Sequence, residues 1–276
     1  MTAKSAQTFG APTSSSTAPS CYDKCMAGVQ DKIALVTGAS RGIGRVAAEL
    51  LRARGARVMA VSRSEEDLAS LDMESVAADL GTLEGCTLAV ETTVERLGPV
   101  DILVCNHGIG SAHEKVIWKQ DTATWAETMR VNLDGPFYLA RLVMPQMVER
   151  KSGRLVFTSS TAGQIAEEAG SAYTSSKHGL LGLMRSAALE GGPYNITSNG
   201  VLPGWVRTSM AERSAQSEAQ ERGLTVDEIW QERAALYPAG RVPTADEVAQ
   251  LIAFLASDEA SGISGQAIKV ALGDLA

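Results

Sequence analysis

A continuously apolar run, residues 32–37 (KIALVT), passes straight into a glycine-rich turn, Gly38-Ala39-Ser40-Arg41-Gly42-Ile43-Gly44. A stretch with helical spacing begins inside that turn, placing Ile43, Val46, Ala47, Leu50 and Leu51 on one face. A strand with no polar face must be covered on both sides, which is the situation of a strand in a parallel sheet. A tight turn and a helix leaving such a strand begin a βαβ crossover.

The alternation continues along the chain. Residues 57–61 (RVMAV) and 76–78 read as strands, and 83–97 as a helix that stops at Gly98-Pro99. Residues 101–105 (DILVC) are a fourth strand, 124–150 helical material, and 154–159 (RLVFTS) a fifth strand. A helix over 172–190, a strand over 196–202, a helix over 245–256 and a strand over 267–270 complete the series. The expected fold is α/β: a single Rossmann-type, doubly wound parallel sheet of about seven strands with helices on both faces.

Two segments stand outside this pattern. Residues 1–28 are rich in Ser, Thr, Ala and Pro without periodicity and read as a flexible tail before one domain over 29–276. Residues 208–240 are charged and helical, and are expected to form a lid on the substrate side; the alternative is a surface insertion without a role.

The net charge of −7 argues against a nucleic-acid partner, which would need a basic face. No run of about 18 apolar residues suggests a membrane span, and the N-terminus has no apolar core of a secretory signal. Cys21, Cys25, Cys86 and Cys105 show neither a disulfide framework nor a zinc spacing, so reduced thiols, a cytoplasmic location and no metal are expected.

Gly38, Gly42 and Gly44 let the backbone turn tightly and approach a pyrophosphate, at which the following helix aims its unpaired N–H groups. The spacing is G-x-x-x-G-x-G, and with its placement between strand and helix it resembles that of the short-chain dehydrogenase/reductase family. The resemblance covers residue 32 to the C-terminus. It implies a nicotinamide coenzyme, with Ser40, Arg41 and Ile43 contributing from the same turn. An NAD site calls for a carboxylate at the end of the second strand. Ser62 stands there instead, beside Arg63, whose guanidinium can fork onto a 2′-phosphate, as can that of Arg41. Both positions look like those of NADP-preferring members; in the alternative, Arg63 is solvated and the coenzyme is NAD. By the same resemblance Asp79 and Leu80 border the adenine. Cys105-Asn106-His107-Gly108 stands where the family usually has Asn-Asn-Ala-Gly, so Asn106 and Gly108 match. His107 departs from the pattern and reads as a packing variant rather than a base.

The catalytic signal is Ser160, Tyr173 and Lys177. Tyr173 and Lys177 share one helix face, a turn apart. Ser160 follows the fifth strand, whose carboxyl end faces the coenzyme crevice. These residues match the family's active-site motif, and Asn132 in Val131-Asn132-Leu133-Asp134-Gly135 matches its fourth member. Hydride transfer to or from carbon needs a matching proton on oxygen. A phenol is a weak base at neutral pH unless a nearby cation favours its phenolate, and Lys177 supplies that charge. Ser160 would hydrogen-bond the substrate oxygen. By resemblance Lys177 also holds the nicotinamide ribose, and Asn132 anchors a water leading from Lys177 to solvent. Pro203, Gly204, Val206 and Thr208 correspond to the loop lying against the nicotinamide. The family's terminal paired-glycine segment is replaced by Ala271-Leu272-Gly273-Asp274.

The expected activity is hydride transfer between NADP(H) and a ketone or secondary alcohol, as a carbonyl reductase or alcohol dehydrogenase. The alternative within the family is an NAD-dependent alcohol, polyol or hydroxy-acid dehydrogenase. Outside it stand a coenzyme-binding scaffold without turnover and an epimerase or dehydratase. The pocket is expected from 108–113, 162–169, Trp205 and the 208–240 segment. Trp205 and Trp230 would pack on a ring-shaped substrate or simply on the protein, and Glu167 and Glu168 would bond a polyhydroxylated substrate or solvent. The partner is a small carbonyl or alcohol, and the resemblance implies a homotetramer, with a dimer second, through helices 124–150 and 172–190.

Overall fold

The computed structural model describes residues 28–110 and 115–274. The expected tail therefore lies outside the described residues except for Gly28, and so do residues 111–113 of the expected pocket. The Gly28 carbonyl accepts the Asp258 N–H at 3.1 Å, and Val29 is buried, so the fold begins there.

The elements run β1 (Ile33–Thr37), α1 (Gly42–Ala53), β2 (Arg57–Ser62), α2 (Glu65–Ala69), β3 (Glu74–Ala77), α3 (Leu83–Arg96) and β4 (Ile102–Cys105). There follow α4 (Thr122–Met129), α5 (Gly135–Arg150), β5 (Gly153–Thr158), α6 (Ser171–Gly191) and β6 (Ile196–Pro203). The chain closes with α7 (Ser209–Arg222), α8 (Val226–Ala235), α9 (Ala245–Leu255) and β7 (Ala267–Val270).

All pairings in the seven-stranded sheet are parallel, in the order β3-β2-β1-β4-β5-β6-β7. Alternate strand residues face opposite layers. Ala34, Val36, Val104, Val156 and Val201 pack with α1 and α9. Leu35, Leu103, Leu155, Phe157 and Leu202 pack with α3, α5 and α6. Two-sided burial is why the strands read as unbroken apolar runs. The strand order reverses between β1 and β4, which opens a crevice at their carboxyl ends.

Two sequence expectations change. The helical material of 124–150 is not one helix, because a π-helical turn at Arg130–Asp134 separates α4 from α5. Gly135-Pro136 opens α5, and a proline in a first turn sacrifices no helical hydrogen bond. The short α2, which the apolar pattern does not mark, is capped by Ser64, whose hydroxyl accepts the Asp67 N–H at 3.1 Å. The 208–240 segment forms α7 and α8, which pack through Ala211, Ala215, Ala219, Ile229 and Trp230.

Among the described residues, no helix is long and apolar enough to cross a membrane, and no cluster of His, Cys, Asp or Glu could hold a metal ion.

Candidate active site

The crevice holds a cleft of about 510 Å³. Its floor starts at Thr37, the last residue of β1. The Thr37 hydroxyl donates to the Val104 carbonyl (3.1 Å) and accepts the N–H groups of Asn106 (2.9 Å) and His107 (3.2 Å). One side chain thus fixes the turn after β4 against the turn after β1. Gly38 and Gly42 adopt φ +65° and +56°, a region that favours glycine. A Cβ on Gly38 would lie 2.9 Å from the His107 Cα. Gly44 does not line the cleft. It lies behind the turn, where a Cβ would collide with the Gly38 carbonyl and the Asn106 amide. This backbone cradle at the start of α1 suits a diphosphate.

Ser40, Arg41, Gly42, Ile43, Ser62, Arg63, Asp79, Leu80, Asn106 and Gly108 line the same cleft. Arg41 and Arg63 take part in no ion pair among the described residues, whereas Asp79 is held by Arg130 at 2.9 Å. Ile109, Gly110, Met210 and Arg213 line the cleft from the segments expected to form the pocket, whereas sequence reasoning missed Asp67 at the Arg63 end and Val131.

His107 is half-buried, with Nδ1 2.8 Å from the Thr37 hydroxyl. Burial, aided by the Lys177 charge, pushes its pKa down to about 3, so the imidazole is neutral near pH 7 and cannot take up a proton there. Gly135 makes room for the ring: a Cβ there would lie 2.8 Å from the His107 Nε2.

At the other end of the cleft stand Ser160, Tyr173 and Lys177. Ser160 follows β5 and caps a short 3₁₀ turn, its Oγ accepting the Ala162 N–H at 3.1 Å. Tyr173 and Lys177 lie on one face of α6, with the Lys177 Nζ 5.6 Å from the Tyr173 ring centroid. Lys177 is 5% exposed and donates to the Thr158 carbonyl at 3.0 Å. Burial lowers its pKa to about 8.

Asn132 lies in the π turn, fully buried and outside the cleft wall. Such turns recur at functional sites. Its Oδ1 accepts the Ile109 N–H (2.8 Å), and its Nδ2 donates to the Ile109 carbonyl (3.0 Å) and the Ser176 hydroxyl (3.1 Å). Gly108 separates it from Lys177. A Cβ there would sit 3.1 Å from Asn132 Oδ1 and 3.6 Å from Lys177 Nζ.

Pro203, Gly204, Val206 and Thr208 line the third wall, with Trp205. Thr208 caps α7, and its methyl lies 3.2 Å from where a Gly42 Cβ would stand. The start of the 208–240 segment thus lies beside the glycine turn.

A family model described as enoyl-(acyl carrier protein) reductase matches residues 38–273. The 3-oxoacyl-[acyl-carrier-protein] reductase FabG of Escherichia coli (strain K12) is 36% identical over 247 residues, covering 87% of this chain and 96% of the relative. The chain is a short-chain dehydrogenase/reductase. As an NAD(P)-dependent oxidoreductase of that family it has close structural likenesses. A variant of actinorhodin polyketide ketoreductase solved with NADPH superposes with a TM-score of 0.83 at 32% identity, covering 88% of this chain and 97% of the other. Levodione reductase does so with a TM-score of 0.83 at 31% identity, with the same coverage of 88% and 97%.

Proposed function

We propose that the protein moves hydride between NADP(H) and a ketone or secondary alcohol, with Tyr173 as the general acid and base. The observation that carries this reading is the cleft itself. It runs from the glycine turn to Ser160, Tyr173 and Lys177, with the lysine ammonium 5.6 Å from the Tyr173 ring. The relatives' printed activities, 3-oxoacyl reduction and polyketide ketoreduction, support a ketone as substrate.

The coenzyme would be held by Gly38, Ser40, Gly42 and Ile43 at its diphosphate, with Gly44 packing the turn from behind. Ser62, Arg63 and Arg41 would hold a 2′-phosphate, Asp79 and Leu80 the adenine, and Asn106, Gly108 and Lys177 the nicotinamide ribose. Pro203, Gly204, Val206 and Thr208 would face the nicotinamide, which when bound exchanges the hydride. Two guanidiniums without ion-pair partners support the 2′-phosphate. The Asp67 carboxylate at the same end favours the second reading, an NAD-linked alcohol, polyol or hydroxy-acid dehydrogenase.

In reduction, Tyr173 gives its phenolic proton to the substrate oxygen as negative charge develops there. The Ser160 oxygen is fixed by the Ala162 N–H, which leaves its O–H to donate to the same substrate oxygen. Lys177 retains two N–H donors beyond the one on Thr158, and its charge favours the phenolate that remains. Asn132 holds the Ile109 backbone at the gap beside Gly108, where a water would lead protons from Lys177 outward. The 208–240 segment acts as the lid.

Exposed apolar side chains on α5 and α6, Phe137 and Leu189 among them, support a homotetramer, with a dimer as the alternative, to be read by light scattering. Buried free thiols at Cys86 and Cys105 suit a cytoplasmic location.

The test is oxidation of NADPH and NADH by the purified protein with ketones, keto-sugars and keto-esters. Tyr173→Phe should lose turnover by about 10³-fold or more while keeping coenzyme affinity within about threefold. Turnover near wild type would remove the mechanism. Arg63→Ala should weaken NADPH far more than NADH, and equal losses would favour NAD.

A further inference from the structure

Arg130 opens the π turn, and the chemistry above does not use it. Its guanidinium is held through three nitrogens. Nη1 donates to the Asp79 carboxylate (2.9 Å), while Nε and Nη2 donate to the two oxygens of Glu127 on α4 (2.7 and 2.8 Å). The fork on Glu127 fixes the plane of the group. That plane lies over Gly81, where a Cβ would collide with Nη1 and Cζ. The other Asp79 oxygen accepts the Gly81 N–H at 3.1 Å. One side chain thus clamps the 79–81 loop from outside. Asp79, Leu80 and Gly81 line the cleft, whereas Arg130 and Glu127 do not.

The far end of the π turn meets the same loop. A Cβ on Gly135 would collide with the Leu80 carbonyl. The Cys86 thiol reaches the Leu80 and Gly135 carbonyls together, at 3.3 and 3.7 Å. Between these ends, Asn132 holds the N–H and the carbonyl of Ile109 and the Ser176 hydroxyl on α6. The turn therefore touches the 79–81 loop at both ends and the proton path at its middle.

An exposed ion pair contributes little to stability, and the Asp79 and Glu127 side chains are each 43% exposed. The strength of the Asp79 contact depends instead on how much water reaches it. A base held at residues 79–81 would shield Asp79, and attraction between charges rises as the local dielectric falls. Arg130 would then be drawn more firmly to the loop, and Asn132 stands two residues further along the same turn.

We propose that Arg130 is a positioning residue that couples the two ends of the coenzyme cleft: filling the adenine wall tightens its hold on Asp79, and the π turn passes this on to Asn132 and the proton path. This rests on the reading above, which puts the adenine at Asp79 and Leu80 and the proton path beside Asn132.

The experiment uses adenosine 5′-monophosphate and adenosine 2′,5′-bisphosphate, fragments that fill the adenine end and carry no nicotinamide. Hydrogen exchange is followed at the Ile109 amide, whose proton Asn132 Oδ1 accepts. In the wild type a saturating fragment should slow that exchange about fivefold or more, the low end of the usual range for coupled sites. Arg130→Met should bind the fragment yet lose most of the slowing. Its kcat with NADPH should fall about fivefold as well, with KM for the ketone unmoved. Unslowed exchange in a wild type that binds the fragment would overturn the proposal. So would equal slowing in the variant from whatever baseline, the mark of a merely structural role. Fragments that fail to bind would remove the adenine wall and the proposal with it. Should Arg130→Met not fold, Glu127→Gln, which loosens the fork from the outside, is judged by the same exchange. If the wild type turns over no ketone with NADPH, the ketone-reductase reading fails, and the Ile109 amide still decides the coupling.

Discussion

The Asn132 amide donates to the Ser176 hydroxyl at 3.1 Å, and that hydroxyl donates to the Tyr173 carbonyl at 2.7 Å. The π turn and the helix carrying Tyr173 and Lys177 are thereby joined through one buried oxygen.

Replacing that oxygen should be felt in catalysis more than in coenzyme binding. Ser176→Ala leaves the Asn132 amide with Ile109 alone and loses a buried hydrogen bond of about 1 kcal/mol. A three- to tenfold fall in kcat is expected, on the order of that energy, with NADPH affinity unchanged. Steady-state kinetics beside a coenzyme titration would check it, and a loss confined to coenzyme affinity would contradict it.

Lys177 is stabilising for chemistry and destabilising for the fold. Its folded pKa of about 8 lies below the ordinary 10.5, so the unfolded chain holds the proton more tightly. Stability should therefore rise with pH between those two values. Lys177→Met should abolish turnover yet raise unfolding free energy at pH 7 by about 2–3 kcal/mol. In the unliganded enzyme the ammonium is lost above about pH 8, and reductive kcat/KM should fall there. Denaturant melts at several pH values decide the first point, and a variant less stable than wild type at pH 7 would refute it.

His107 has the same sign in a lower window. Its folded pKa of about 3 lies under the ordinary 6.5, so stability should drain away as pH falls from 6.5 toward 3. The slope is about 1.4 kcal/mol per pH unit. His107→Ala should be less stable at pH 7 because of the space it leaves, but its stability should depend less steeply on acid. Parallel acid limbs for the two proteins would show that the imidazole is already charged in the fold.

Gly44 tests the cradle without touching the cleft. A methyl there meets the Gly38 carbonyl and the Asn106 amide, so α1 must move away from the turn. Gly44→Ala should cost about 1–3 kcal/mol of stability and weaken NADPH and NADH alike. A calorimetric titration with each coenzyme checks this, and selective loss of one would point to a contact with the ligand itself.

The sheet was legible because both of its faces are covered. Val104 and Leu103 go to opposite layers, and a strand of that kind leaves a short, unbroken apolar word in the sequence. The catalytic face of α6 was legible because the Tyr173–Lys177 spacing is fixed by helix geometry. The π turn was not, because helical periodicity runs through residues 124–150 and only Gly135-Pro136 hinted at a new start. Asp67 was missed since α2 carries a single buried apolar residue, Leu68, too little to register as a pattern. The hold of Arg130 on Asp79 depends on the π turn folding back over the loop after β3, which no local spacing encodes.

Thr37 has a mechanical consequence. Its one hydroxyl rivets the two turns that flank the place where the sheet changes direction. The bottom of the crevice cannot gape without breaking three hydrogen bonds at once, so it behaves as a stiff plate. Whatever enters or leaves is then admitted by movement of the roof, where the Thr208 methyl occupies the space beside Gly42 that a side chain would need.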